Sequence, residues 1–241
     1  MTDDCQVQDM PHDGATSSDG ADGGVVYPTS DKMGESSLQF FVNARLVALL
    51  SEYFAATNHP AFVSSNQFFY FKRGDPGSSV SPDLYIVDDE SREPTSVPSW
   101  KVWEHDGKVP AFVLEVVSDE YKKDYADHLI DRYERLGIRE MVRYDPGHGG
   151  RRGRSLLTHF VRDEGGRLIA RPTPPDRVQS VVFGFWLVLQ PDRTIRLATG
   201  PLGEALWPTP EERATAEAHG RKLAEAEVTR LRAELARLRG E

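Results

Sequence analysis

Two acidic residues stand in segments whose sequence predicts buried strands. Asp83 follows a proline in VSPDLYIVDD, and Glu115 interrupts the apolar run of PAFVLEVV. A carboxylate in a buried strand costs free energy unless a cation or hydrogen-bond donors satisfy it. Because we expect the two strands to be neighbours, the pattern indicates a divalent-metal site with both acids as ligands.

Magnesium is the expected occupant of such a site, with manganese as the alternative. Mg²⁺ takes one or two protein carboxylates and fills its other octahedral positions with water and phosphate oxygens. Water activated in this way is the nucleophile in hydrolytic phosphodiester chemistry. Cys5 is the only cysteine, which excludes an internal disulfide and a cysteine-rich zinc site.

The elements that must position these acids follow from the spacing of apolar residues. The spacing predicts a mixed α/β fold, with two amphipathic helices and several short strands ahead of an antiparallel β section over 155–200. A polar connection over 94–110 either closes over a site or forms a surface excursion. The predicted helices cover 38–53 and 121–136, and the predicted strands cover 61–73, 80–87, 111–117 and 138–144.

The two ends of the chain differ from its middle. Residues 1–26 are rich in Asp, Gly and Ser and predict a disordered acidic tail, whereas 27–200 predict the folded domain. Residues 208–241 predict a C-terminal helix with a short coiled-coil seam, which needs a second copy, as in a homodimer, or docking onto the domain. The apolar residues of that seam are Ala224, Val228, Leu231, Leu235 and Leu238.

Composition and charge exclude some classes of protein. The 241 residues suit one domain with tails, and no apolar run is long enough to span a membrane. The N-terminus has no secretory signal, so we expect a cytoplasmic protein. Seven aspartates without any Lys or Arg in residues 1–31 account for most of the net charge of -9. The folded part is therefore nearly neutral, and its charge decides neither for nor against a DNA partner.

Several short motifs resemble the PD-(D/E)xK nuclease superfamily and, more closely, the Uma-two family of restriction endonucleases, formerly a domain of unknown function. The resemblance covers roughly residues 27–189. It implies a restriction-endonuclease-like central mixed β-sheet flanked by helices. The motifs are Pro82-Asp83, the strand end LEVVS at 114–118, the helix end at 133–137, Ile138-Arg139-Glu140 and Tyr144-Asp145-Pro146.

The resemblance also implies an activity and a set of site residues. The activity is Mg²⁺-dependent hydrolysis of DNA phosphodiester bonds. Asp83 and Glu115 would be the metal ligands, with the backbone carbonyl of Val117 as a third.

The sequence departs from the family pattern at its basic residue. Val117 lies where a Glu-x-Lys motif would place the lysine, and relatives usually carry this residue on the following helix instead. Aligning that helix reaches His128 or Leu129, so Lys123 or His128 is the expected assistant in catalysis, with Lys122 as a further candidate.

A second departure lies in the first helix. Relatives commonly have a Glu and, four residues on, a His, whereas this chain has Glu35 and Gln39. Residues four apart share a helix face, so both could point into the site. Glu35 would orient a water molecule at the metal, but Gln39 cannot act as an ionisable imidazole does.

These departures leave two other functions open. One is a nuclease-like fold that has lost cleavage and acts as a binding or oligomerisation module through its C-terminal heptads. The other is a carboxylate-metal hydrolase that acts on a different phosphodiester or a nucleotide, since a metal site alone does not identify its substrate.

Overall fold

The computed structural model describes residues 25, 27, 37–90, 98–117, 127–146 and 156–240. Within these ranges the chain forms three α-helices and thirteen short strands in three sheets. The helices are α1 (Ser37–Ala56), α2 (Asp127–Leu136) and α3 (Pro210–Arg239). The strands are β1 (Ala61–Ser64), β2 (Phe69–Tyr70), β3 (Ser79–Val80), β4 (Leu84–Asp88), β5 (Trp100–Lys101), β6 (Phe112–Val116), β7 (Glu140–Tyr144), β8 (Leu157–Arg162), β9 (Leu168–Arg171), β10 (Arg177–Gln179), β11 (Trp186–Leu189), β12 (Ile195–Thr199) and β13 (Ala205–Leu206).

A six-stranded mixed sheet forms the centre of the fold, with the order β1-β4-β6-β7-β8-β9. Strands β6 and β7 are parallel, and the other neighbours are antiparallel. Parallel neighbours need a crossover connection, and α2 lies in the chain between these two strands. The expected mixed α/β fold with a central mixed sheet is therefore present.

Alternating side chains of the central sheet build two separate cores. On one face, Leu114 and Val142 pack with Leu49 of α1 and with the four-stranded sheet β10-β11-β12-β13, which contributes Leu187 and Leu197. On the other face, Val113 and Met141 pack with Tyr133 of α2 and with the small sheet β3-β2-β5, which contributes Phe69 and Trp100. The sheet is covered on both faces, which explains why its central strands are nearly all apolar.

Strand boundaries differ from the expected ones where the backbone turns. The stretch 61–73 is two strands, because the chain turns at Asn66, whose φ is 52°. The stretch 80–87 divides into β3 and β4, because Pro82 has no N–H to donate to a ladder. Asp83 therefore lies directly before β4 instead of inside a continuous strand.

The described part of the 94–110 connection is packed against the domain. Trp100 is fully buried in β5, which pairs in parallel with β2, and its indole N–H donates to the Lys108 carbonyl at 2.8 Å. Residues 94–97 lie outside the described ranges. Between Pro98 and Pro110 the connection contributes to the core, and it is not only a surface excursion.

The C-terminal helix α3 begins at a capping box. The Thr209 side chain accepts from the Glu212 N–H, Pro210 occupies the first turn, and Gly240 ends the helix with a φ of 75°. No residue of this helix is buried. The helix is as expected, while its coiled-coil pairing and the domain boundaries at 26, 200 and 208 stay predictions.

The antiparallel β section expected over 155–200 is confirmed in β8 to β12. The acidic tail expected over 1–26 falls almost wholly outside the described residues. None of the described helices is both long and apolar enough to cross a membrane.

Candidate metal and phosphodiester site

The two sequence-predicted acids meet at one end of the central sheet. Leu84 of β4 is opposite Leu114 of β6 in the antiparallel register, and one further step along each chain reaches Asp83 and Glu115. Both acids are almost completely buried, each with 7% of its surface exposed.

Asp83 is held by two donors from different elements. The Val116 N–H of β6 donates to Asp83 Oδ2 at 2.6 Å. The Gln39 amide, on the first turns of α1, donates to Asp83 Oδ1. Helix α1 packs on the face of the sheet opposite to α2. Its N-terminal turn extends past the end of the strands, where Gln39 contacts the Asp83 carboxylate.

Glu115 is held from the other face of the sheet. The Tyr133 hydroxyl of α2 donates to Glu115 Oε1, and Tyr133 is fully buried. Burial raises the pKa of Tyr133 well above its usual value, and the charges of Glu115 and Asp83 and the hydrogen bond to Glu115 raise it further. The phenol therefore stays protonated and remains a donor to the carboxylate throughout the neutral range.

The chemistry of these donors fits a magnesium ion. Each ionised carboxylate offers two hard oxygen atoms, and Mg²⁺ is commonly bound by one or two carboxylates while water and substrate phosphate complete its shell. Hydrogen bonds from α1, α2 and β6 fix the orientation of both groups before any ion binds. Among the described residues, no group of three or more His, Cys, Asp or Glu side chains forms a larger metal cluster.

Of the other predicted site residues, one lies near the acids, one has no described contact with them, and three lie outside the described residues. Val117 is buried beside Glu115, and its N–H donates to the Tyr144 carbonyl at 2.8 Å, which extends the pairing of β6 with β7. His128 lies exposed in the first turn of α2, and the described contacts do not join it to either acid. Glu35, Lys122 and Lys123 lie outside the described residues.

Sequence reasoning missed two side chains near the acids. Tyr133 marked a helix end, but nothing in the sequence assigned its hydroxyl to Glu115. Arg143 lies on β7 directly beside Glu115 in the parallel register. A signal for Arg143 was present, because it interrupts the apolar strand EMVRY as Glu115 interrupts its own strand.

The family of this chain follows from a comparison with known protein families. Residues 23–190 match the model of the Uma2 family, which is described as "Putative restriction endonuclease". The chain belongs to the Uma2 family. The Uma2 match includes α1, both acids and the strand β7, so the site lies wholly inside the family region.

A solved structure is also similar to this Uma2 chain. It is described as a "putative nuclease belonging to DUF820" from Anabaena variabilis, with 14% sequence identity and a TM-score of 0.45. The match covers 73% of this chain and 87% of that one. No curated protein matches the chain.

Proposed function

We propose that this Uma2 protein is a Mg²⁺-dependent endonuclease that hydrolyses DNA phosphodiester bonds at Asp83 and Glu115. The observation that carries the proposal is the meeting of two buried carboxylates at the end of β4 and β6, fixed by donors from both faces of the sheet. Membership in a family described as "Putative restriction endonuclease" supports nucleic acid as the substrate class.

The proposed metal ligands are Asp83, Glu115 and the Val117 carbonyl, with Mn²⁺ as an alternative ion. When bound, the ion would supply Lewis acidity at the scissile phosphate and lower the pKa of an attacking water molecule. Gln39 and the Val116 N–H hold Asp83, so its oxygens keep a fixed direction while substrate binds. Tyr133 does the same for Glu115.

Three further residues have proposed roles that rest on the sequence. Glu35 would orient the attacking water. Lys123 or His128 would assist by placing positive charge or a proton near the reacting phosphate. His128 is exposed on the first turn of α2.

The proposed assembly is a homodimer through α3. Four of its heptad side chains are between 45% and 73% exposed in the single chain. A helix that buries none of its own residues gains stability by pairing with another copy. The exposed heptad residues are Val228, Leu231, Leu235 and Leu238.

A cleavage assay tests the proposed activity. Plasmid and single-stranded DNA would be incubated with Mg²⁺ and the wild type, Asp83→Asn, Glu115→Gln or the control Asp88→Asn. Asp88 is the matched control because it lies at the opposite end of β4, where His59 and Arg139 contact it. We expect cleavage by the wild type and the control, and a loss of at least about 100-fold in both site variants.

Two outcomes would reject the nuclease function. One is the absence of cleavage by the folded wild-type protein, which would favour a binding or oligomerisation module. The other is equal cleavage by the wild type and both site variants, which would place the activity elsewhere. Cleavage of nucleotides but not of DNA would instead indicate a different phosphodiester substrate.

A further inference from the structure

Arg143 lies beside Glu115 on β7, at the same end of the central sheet as the two acids. The parallel pairing of β6 and β7 sets Glu115 opposite Arg143, one residue beyond the pair of Leu114 and Val142. Neighbouring strands are about 4.8 Å apart, and paired residues share a face of the sheet. Arg143 is therefore on the same face as Glu115, the face that α2 covers.

The burial of Arg143 is unusual for its position. Arg143 is a charged side chain, yet only 7% of its surface is exposed. The other residues of β7 are fully buried. An arginine side chain cannot be deprotonated in proteins, so this position carries a permanent positive charge. Its guanidinium carbon lies 5.1 Å from the centroid of the Phe160 ring on β8, where the ring face stabilises the cation.

The positive charge of Arg143 lies at an end of the sheet that otherwise carries negative charge. Asp83 and Glu115 place two carboxylates close together in a desolvated position, and an anionic phosphate would add negative charge. A guanidinium presents several N–H donors in a planar fork that matches the oxygens of a phosphate. The position expected for a lysine in the strand holds Val117 instead.

We propose that Arg143 is the cation of this site and contacts the scissile phosphate beside Glu115. This inference rests on the proposed nuclease function. It assigns to β7 the positive charge that the sequence alone sought in the predicted helix 121–136, at Lys123 or His128. The guanidinium neutralises charge that develops on the phosphate oxygens, while the Phe160 ring holds it in place.

Three variants separate the charge of Arg143 from its packing, and a fourth tests the alternative cation. Arg143→Met keeps the aliphatic stem without the charge, and Arg143→Lys keeps the charge without the fork. Phe160→Leu removes the ring beneath the guanidinium and leaves the charge. Lys123→Met tests the alternative cation on the connection before α2.

The first readout is steady-state cleavage of a short DNA duplex with Mg²⁺. For Arg143→Met we expect kcat to fall about 100-fold with a smaller change in KM, because the contact strengthens in the transition state. Arg143→Lys should recover part of that loss, and Phe160→Leu should stay within about tenfold of the wild type. Equal kcat for Arg143→Met and the wild type, or a large loss in Lys123→Met alone, would overturn the inference.

The second readout does not need cleavage. A permanent positive charge beside a divalent-metal site repels the ion, so Arg143→Met should bind Mn²⁺ about fivefold more tightly than the wild type at pH 8, whereas Arg143→Lys should not. If the wild type fails to cleave DNA but this difference in Mn²⁺ affinity appears, the nuclease function fails and the cation remains placed at the site. Equal Mn²⁺ affinity in all variants, or no binding in any, would contradict the placement of Arg143.

Discussion

The hydroxyl of Tyr133 is the contact that joins α2 to the chemistry of the site. It donates to Glu115 from a fully buried position, and its raised pKa keeps it protonated. In the sequence, Glu115 stands out as a charged residue in an apolar strand. Its hydrogen-bond donor, Tyr133, lies 18 residues away on another element. Local spacing therefore predicts the acid and not the donor.

Tyr133→Phe tests this contact in two ways. Loss of a hydrogen bond that orients a metal ligand typically costs 10- to 100-fold, so we expect DNA cleavage to fall by about that factor. The control is Tyr70→Phe, which removes another buried phenol, in β2, and should leave cleavage unchanged. Equal cleavage by Tyr133→Phe and the wild type would contradict the role of the hydroxyl.

The same variant has a signature at alkaline pH. The pKa of Tyr133 is raised in the folded protein above the ordinary value of 10.0. The protonated phenol therefore contributes stability that is fully present below pH 10 and is lost as the pH rises toward its folded value. We expect the free energy of unfolding of Tyr133→Phe, measured with urea, to decline less steeply above about pH 10 than that of the wild type.

Gln39 is the residue of the first helix that contacts Asp83. Its amide donates to Asp83, so it orients the carboxylate without being able to transfer a proton. We expect Gln39→Ala to reduce Mn²⁺ affinity about tenfold, measured by calorimetric titration. The substitution removes the amide donor to Asp83 and leaves the hydrogen bond from the Val116 N–H in place. Gln179→Ala, an exposed change on β10, is the control and should bind as the wild type does.

At the scale of elements, the register of the strands brings the charged residues of the candidate site together. The antiparallel pairing of β4 with β6 brings Asp83, directly before β4, close to Glu115, and the parallel pairing of β6 with β7 places Arg143 beside Glu115. The sequence predicted the two strands and their acids, because apolar runs are local signals. It did not predict the register, which depends on pairing between segments about thirty residues apart.

The junction between the central sheet and the second sheet depends on Glu140. This residue of β7 is fully buried, and four donors contact its carboxylate. The donors are His159 Nε2 at 2.7 Å, Ser180 Oγ at 2.7 Å, and the N–H groups of Val181 at 3.0 Å and Val182 at 3.2 Å. Three of these four donors lie in the turn between β10 and β11, so Glu140 fastens the turn to the central sheet.

Glu140→Gln tests this junction. One carboxylate oxygen becomes an N–H₂ group that faces donors, so we expect a loss of about 3 kcal/mol in the free energy of unfolding. Urea denaturation measures the loss, with Glu164→Gln in an exposed turn as the control. A change of less than about 1 kcal/mol would show that the network contributes little to stability.

At the scale of the whole molecule, the site needs elements from both faces of the sheet. The N-terminal turns of α1 reach Asp83 from one face, and α2 reaches Glu115 from the other. The sequence predicted the mixed α/β class and both helices. It missed the short strands β5, β10 and β13, because two or three residues carry no readable alternation, and it joined β1 and β2 into one continuous strand.

The exposed stripe of α3 gives the prediction for assembly. A charge at a seam position would be buried between paired helices, so we expect Leu231→Glu to weaken self-association about 100-fold in sedimentation equilibrium. Ala233→Glu adds the same charge away from the seam and is the control. A monomeric wild type, or equal association of both variants, would contradict the homodimer.

The central claim is that Asp83 and Glu115 together bind a divalent metal. Calorimetric titration of Mn²⁺ into the full chain tests it most directly, with the wild type, Asp83→Asn, Glu115→Gln and the control Asp88→Asn. We predict about one ion per chain in the wild type and the control, and at least about tenfold weaker binding in each site variant. Absence of binding to the folded wild type, or unchanged affinity in both site variants, would contradict the claim.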